Sequence, residues 1–241
     1  MIRPRRLVRP AVFAFVAVAV CTWTGIAAAQ QSATLPPGVT PPQPTVPEIF
    51  TLQGEFVRVA YNNEGYATLG YRVANDSVGT EWMLLDVGVT VRKGTERYLL
   101  TRDAISIKTP DGKTIPLATQ KEYAEAGYLR ALTKRAQTIR DSINYFPMEA
   151  RHACSFRFFG DLSAPSSMSY DRVELAPDRA CVGRLFFRIP GGIQTGQHWL
   201  VIKFAGSQLE APFRILTKEE EKFLRKQWKD LKKELDKALE Q

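Results

Sequence analysis

Histidine is nearly absent: two in 241 residues leave little material for general-base catalysis or multi-histidine metal sites. No G-x-G-x-x-G, Walker A, H-E-x-x-H or G-x-S-x-G pattern occurs. The motif-bearing nucleotide-binding, metallopeptidase and serine-hydrolase classes therefore have no support. Cysteine is scarce too, with three in the chain, too few for a multi-disulfide scaffold. What is present is ordinary globular usage, 44% hydrophobic and 24% charged, which excludes disorder along the full length.

The first residues follow a different logic from the rest. Arg3, Arg5, Arg6 and Arg9 precede an apolar run from Ala11 to about Val20, and Ala27, Ala28 and Ala29 follow before Gln30. A basic segment, an apolar segment and an A-x-A site compose a bacterial-type secretory signal over 1–29. The rival is an uncleaved anchor, the one membrane contact expected of this chain. The leader carries four of the 33 basic residues and none of the 25 acids, so the mature balance is 29 against 25 and the net charge falls from +8 to +4. That residue of charge makes no case for nucleic acid as a partner.

Cys21 leaves with the leader, and Cys154 and Cys181 remain. Two cysteines in an exported protein most simply form one disulfide. His152 and His198 would complete a Cys2His2 zinc set, but His152-Ala153-Cys154 is too tightly spaced and no second close pair exists. The expectation is a Cys154–Cys181 bridge, with no metal and no cofactor. Closing that loop is worth about 3–4 kcal/mol on chain entropy.

Residues 30–48 hold six prolines and read as a linker with polyproline II bias. From 49 to 216 the pattern has period two. Val57, Val59 and Tyr61 share a face, as do Leu69, Tyr71 and Val73. Met83, Leu85, Val87, Val89 and Val91 face one way, and Asp86, Gly88, Thr90 and Arg92 the other. Cys181, Gly183, Leu185, Phe187 and Ile189 form another face; Leu200, Ile202 and Phe204 the next; Leu209, Ala211, Phe213 and Ile215 the last. Thr109-Pro110-Asp111-Gly112-Lys113 is a turn. Short alternating strands between turn clusters predict antiparallel sheets buried on one side, hence a mainly β sandwich. The cysteines lie on core-facing positions of their strands.

Two segments break the alternation. Thr119-Gln120-Lys121-Glu122 is a capping box opening a helical insertion over about 119–146, in which Leu132, Ala136, Ile139 and Ile143 recur at helical spacing up to Pro147. Thr217-Lys218-Glu219-Glu220 caps a C-terminal amphipathic helix over 217–241 with a stripe of Leu224, Trp228, Leu231 and Leu235. Phe223, Leu224, Trp228, Leu231 and Leu235 are its candidate partner surface.

The run Trp82–Val91 and the run Leu175–Pro190, with its L-x-P and G-x-L-x-F elements, resemble strands of secreted bacterial immunoglobulin-like domains of unknown function, relatives of the mycobacterial immunoprotective extracellular antigens. The resemblance covers roughly 50–216. It implies an immunoglobulin-like antiparallel β-sandwich serving as an accessory or binding domain outside the cytoplasm, without a transferable catalytic set.

Among candidate sites, Arg157, Arg184, Arg188 and Arg214 alternate with core positions beside Phe159, Phe186 and Trp199. This is either a stacking, anion-binding face or a set of arginine stems over covered aromatics, and the second is expected. Arg130, Lys134, Arg135 and Arg140 with Asp141 read as a solvated helix face. Asp161, Asp171 and Glu174 offer carboxylates of unknown separation, and Cys154 with His198 makes a poor nucleophile and base once Cys181 is available.

Two functions follow as expectations. The first is an exported, non-enzymatic binding or structural module acting on a protein partner in the cell envelope, periplasmic or secreted, with a smooth exterior and no deep polar cleft. The alternative is an extracytoplasmic hydrolase or carbohydrate-active accessory with a site in the helical insertion, which requires a concave pocket holding converging acids or His198. On the export reading the mature chain begins at Gln30; N-terminal sequencing of exported protein checks this, and a chain retaining Met1 would favour the anchor.

Overall fold

The computed structural model describes residues 56–162, 164 and 167–239, except the side chains of 228 and 231–239. The leader at 1–29, the linker at 30–48 and the first residues of the expected domain lie outside the described residues.

In chain order the elements are β1 (Val57–Tyr61), β2 (Gly65–Gly70), α1 (Arg72–Asn75), β3 (Trp82–Val91), β4 (Tyr98–Thr101), β5 (Ile105–Lys108), β6 (Thr114–Pro116), α2 (Gln120–Glu125), α3 (Leu129–Ile139), β7 (His152–Ser155), β8 (Arg172–Leu175), β9 (Arg179–Arg188), β10 (Gly196–Lys203), β11 (Gln208–Ile215) and α4 (Lys218–Leu239). Five strands form one sheet in the order β1-β2-β3-β9-β7, four form a second as β11-β10-β5-β6, and β4 pairs with β8. The chain is mainly β, as the alternation predicts.

The expected faces are buried. Met83, Leu85, Val87, Val89, Leu185, Phe187, Leu200, Ile202, Ala211, Phe213 and Ile215 are all at most 1% exposed and join one core cluster fed by both larger sheets. The turn at 109–113 closes through Gly112 N–H to the Thr109 carbonyl at 2.9 Å, with Gly112 at φ +82°.

Three expectations need correction. The five-stranded sheet is mixed rather than antiparallel, because β7 runs parallel to β9. Tyr71 and Val73 do not continue β2. The chain turns into α1, where Asn75 N–H donates to the Tyr71 carbonyl and Ser77 Oγ to the Val73 carbonyl. That turn places Val73 and Ala74 in the core and lets the buried Asn75 Oδ1 accept from Leu216 N–H at 2.7 Å. Finally, α3 ends at Ile139. Ile143 belongs to an extended segment, so the insertion is helical only in its first part. Both capping boxes form: Glu122 N–H donates to Thr119 Oγ1, and Glu220 N–H to Thr217 Oγ1.

Cys154 and Cys181 are joined by the expected disulfide, with Cα atoms 4.1 Å apart on directly paired positions of β7 and β9. The bridge lies within one sheet and fastens a four-residue edge strand to its neighbour. Both thiols are consumed, which removes the zinc set and the Cys154 nucleophile.

His198, on β10, is fully buried. It stacks on Phe213 with ring centroids 5.3 Å apart, and its Nδ1 lies 3.1 Å from the Gly196 carbonyl oxygen. Burial lowers its pKa from 6.5 to about 4, against smaller raising effects of that carbonyl and of Asp111. The unfolded chain therefore takes up this proton first. The stability contributed by the neutral ring is complete above about pH 6.5 and drains as pH falls toward about 4, an effect on the order of 3 kcal/mol. His198→Phe should flatten this acid-side slope. Denaturant midpoints compared near pH 4.5 and near pH 7.5 check this; an unchanged slope would assign the acid sensitivity to other groups.

Candidate functional site

The outer face of the five-stranded sheet is not a solvent face. All 10 residues of β3 are buried, including Asp86, Gly88 and Thr90. Over Gly88 the cover is the strap at 140–146 that follows α3, while Thr90 Oγ1 donates to the Ala176 carbonyl. The strap lies flat because the residues beneath it are small: a Cβ on Gly88 would sit 2.5 Å from Phe146 Cζ and from Thr68 Oγ1, and one on Gly70 would sit 3.0 Å from Ile143 Cγ2. Two polar contacts fix it. Thr68 Oγ1 donates to the Ile143 carbonyl at 2.9 Å, and Arg72 grips Asp141 through Nε and Nη2 at 2.9 and 3.0 Å.

Beside the strap opens a cleft of about 1030 Å³. Its floor is the ion pair of Asp86 and Arg184, direct partners on β3 and β9, with Nε and Oδ1 3.2 Å apart. The far wall is the chain leaving β7, from Ser155 through Arg157 to Asp161, together with Ala164 and Ser167. Tyr123 of α2 ties that wall in by donating its hydroxyl proton to the Gly160 carbonyl at 2.8 Å. Burial pushes the Tyr123 hydroxyl up to about 12, so it stays a donor.

Electrostatics in the cleft are set by burial. Desolvation raises the Asp86 carboxyl above its ordinary value; Arg184, and more distantly Arg140, pull it back, and Asp141 adds to the rise. Desolvation outweighing a contacting arginine marks a partly dry floor. Around it, besides the exposed Asp161, stand six exposed polar side chains: Gln137, Arg140, Ser142, Asn144, Ser155 and Arg157. None of these six is hydrogen-bonded or ion-paired through its side chain among the described residues.

The residues singled out in the sequence scatter. Arg184 meets Asp86; Arg188 meets Glu81 and Glu122 at 3.4 and 3.8 Å; Arg214 meets the buried Glu220. Phe159 and Phe186 are buried against Tyr123, with centroids 4.8 and 4.9 Å from its ring, and Trp199 is half-buried. The aromatics are covered, as expected. Asp161 reaches the cleft. Asp171 and Glu174 do not: Asp171 lies 4.0 Å from Arg102, and Glu174 pairs with Arg97. Arg135 binds Asp76, and His198 sits in the other large sheet. On α4, Phe223 is half-buried and Leu224 is 41% exposed. The side chains of Trp228, Leu231 and Leu235 lie outside the described ones.

Sequence reasoning missed Asp86, Gln137, Ser142, Asn144 and Ser155. Asp86 had one legible signal, a lone acid inside a run otherwise rich in Leu and Val.

No protein-family model matches the chain, and no curated protein or solved structure matches it either.

The strap rests on Gly88, so Gly88→Val should lift it. The expected cost is about 1–3 kcal/mol, with faster amide exchange confined to 140–146. Gly127→Ala is the control, since its added Cβ meets nothing within 4 Å. Equal behaviour of the two variants would mean that the strap does not depend on this approach.

Proposed function

We propose that this chain is an exported, immunoglobulin-like accessory module that binds a hydroxyl-rich ligand of saccharide class, without turning it over, in the cleft between the strap and the wall after β7. The observation that carries the reading is the concave polar cleft beside the insertion, ringed by side chains with uncommitted donors and acceptors. Binding sites are typically concave, with a few polar groups placed by a rigid scaffold. A smooth-sided module would have no use for this shape. Ser, Asn and Gln side chains around a cleft suit a ligand that both donates and accepts hydrogen bonds.

Export is supported by the disulfide, which persists in oxidising compartments, together with the leader sequence. No helix among the described residues is long and apolar enough to cross a membrane. Binding is favoured over hydrolysis by the state of two of the three lining acids. Asp86 and Asp141 are each held by an arginine, an arrangement that suits structure better than proton transfer.

Backbone amide shifts on titration with galactotriose, chitotriose and trigalacturonate test the reading. At least one should shift residues in 140–144 and 155–161, and Ser155→Trp should abolish the effect. Shifts elsewhere, or none at millimolar ligand, would overturn it.

A further inference from the structure

The arginines lining the cleft and the one behind it, Arg72, fall into two kinds. Arg72 and Arg184 are neutralised in place, by Asp141 at 2.9 Å and Asp86 at 3.2 Å, and their forks are turned to the frame of the protein. Arg140, at the start of the strap, and Arg157, on the facing wall, line the same cleft with exposed guanidinium groups. Neither is ion-paired or hydrogen-bonded through its side chain among the described residues; Arg140 acts on Asp86 only through its longer-range field. Asp161, the third lining carboxylate, is already engaged. Two uncommitted cations therefore flank a floor whose own charges cancel, and with Asp161 the one remaining acid on the wall the charges in and behind the cleft stand at four basic against three acidic.

We infer that the ligand of this cleft carries a carboxylate, clamped between Arg140 and Arg157, on a hydroxyl-rich body that meets Gln137, Ser142, Asn144 and Ser155: a uronic acid-type saccharide. The inference rests on the cleft being the binding site. An arginine fork matches the two oxygens of a carboxylate in geometry as well as charge, which is what separates this class from neutral sugars. The arrangement also assigns roles. The arginines select by charge, and the serine and amide groups orient the ring. Because the two arginines come from separately anchored walls, an ordered ligand would bridge them.

The test compares trigalacturonate with the neutral galactotriose and with galactose 6-phosphate, on wild-type protein and on the R140Q/R157Q double variant, by calorimetry and amide shifts. Both arginines are exposed, so the variant should keep its fold, and its thermal midpoint verifies that. Trigalacturonate should bind wild-type protein at least about tenfold tighter than galactotriose, and the advantage should vanish in the variant and shrink in about 0.5 M salt. Equal binding of galactotriose in the cleft, unaffected by the variant, would overturn the carboxylate while leaving the binding site in place. Binding of galactose 6-phosphate in preference to trigalacturonate would overturn the carboxylate in favour of a phosphate. Absence of all three from the cleft would remove the site and the inference together.

Discussion

The close approach of the strap to the sheet is the constraint on which the rest of the site depends. A strap cannot lie on a strand whose outward side chains are large, and here the outward positions under Ile143 and Phe146 are Gly70 and Gly88. Once the strap is down, it roofs β3 on its second face. Asp86 then lies in a half-dry environment and must keep a cation beside it, and Arg184 is placed directly across the strand pair to serve. One carbonyl of the strap, that of Ile143, accepts from Thr68, and its acid is held by Arg72. Small residues, a hydroxyl and two arginines thus form one interdependent arrangement.

The second wall is anchored by different means. The strand preceding it, β7, has four residues and lies at a sheet edge, where few ladder hydrogen bonds hold it. The disulfide compensates, pinning Cys154 one residue before Ser155, where the wall begins. Chain-entropy reasoning credits the bridge with about 3–4 kcal/mol, but its placement adds a local effect: it fixes the wall of the cleft. On the proposed reading, binding in the cleft is thereby tied to oxidation, which fits the proposed life outside the cytoplasm.

Most of the strands were legible because alternation is local. The faces of Met83 to Val91 and of Leu209 to Ile215 could be read without knowing their partners, and both capping boxes announced their helices. The site was not legible, because each of its determinants is a long-range contact. Ile143 continues the spacing of three and four residues that runs through Leu132, Ala136 and Ile139, so periodicity extends the helix through it. Arg140 turns extended instead, with ψ at 146°, and the chain gains the Asp141 to Arg72 and Ile143 to Thr68 contacts, which span 69 and 75 residues. Asp86 reads as a solvent-facing residue by parity, and only the strap overhead changes that. The parallel pairing of β7 was hidden for the same reason: a four-residue strand does not encode its direction relative to a neighbour more than twenty residues away.

The charge pattern of the cleft bears on what it is built to do. A general acid or base must exchange its proton during the reaction, and a carboxylate gripped at two nitrogens is a poor candidate for that. Asp141 is held in this way, and Asp86 has a single arginine contact on a floor covered by strap and wall. Fixing these two of the three lining acids lets their surroundings stay rigid, and rigidity favours recognition because little has to be ordered when a ligand arrives. The groups left uncommitted lie at the rim, where water can leave readily. A frame of paired charges carrying a rim of unpaired donors and acceptors is a division of labour suited to holding a ligand, and it is the physical reason for proposing binding rather than turnover in this cleft.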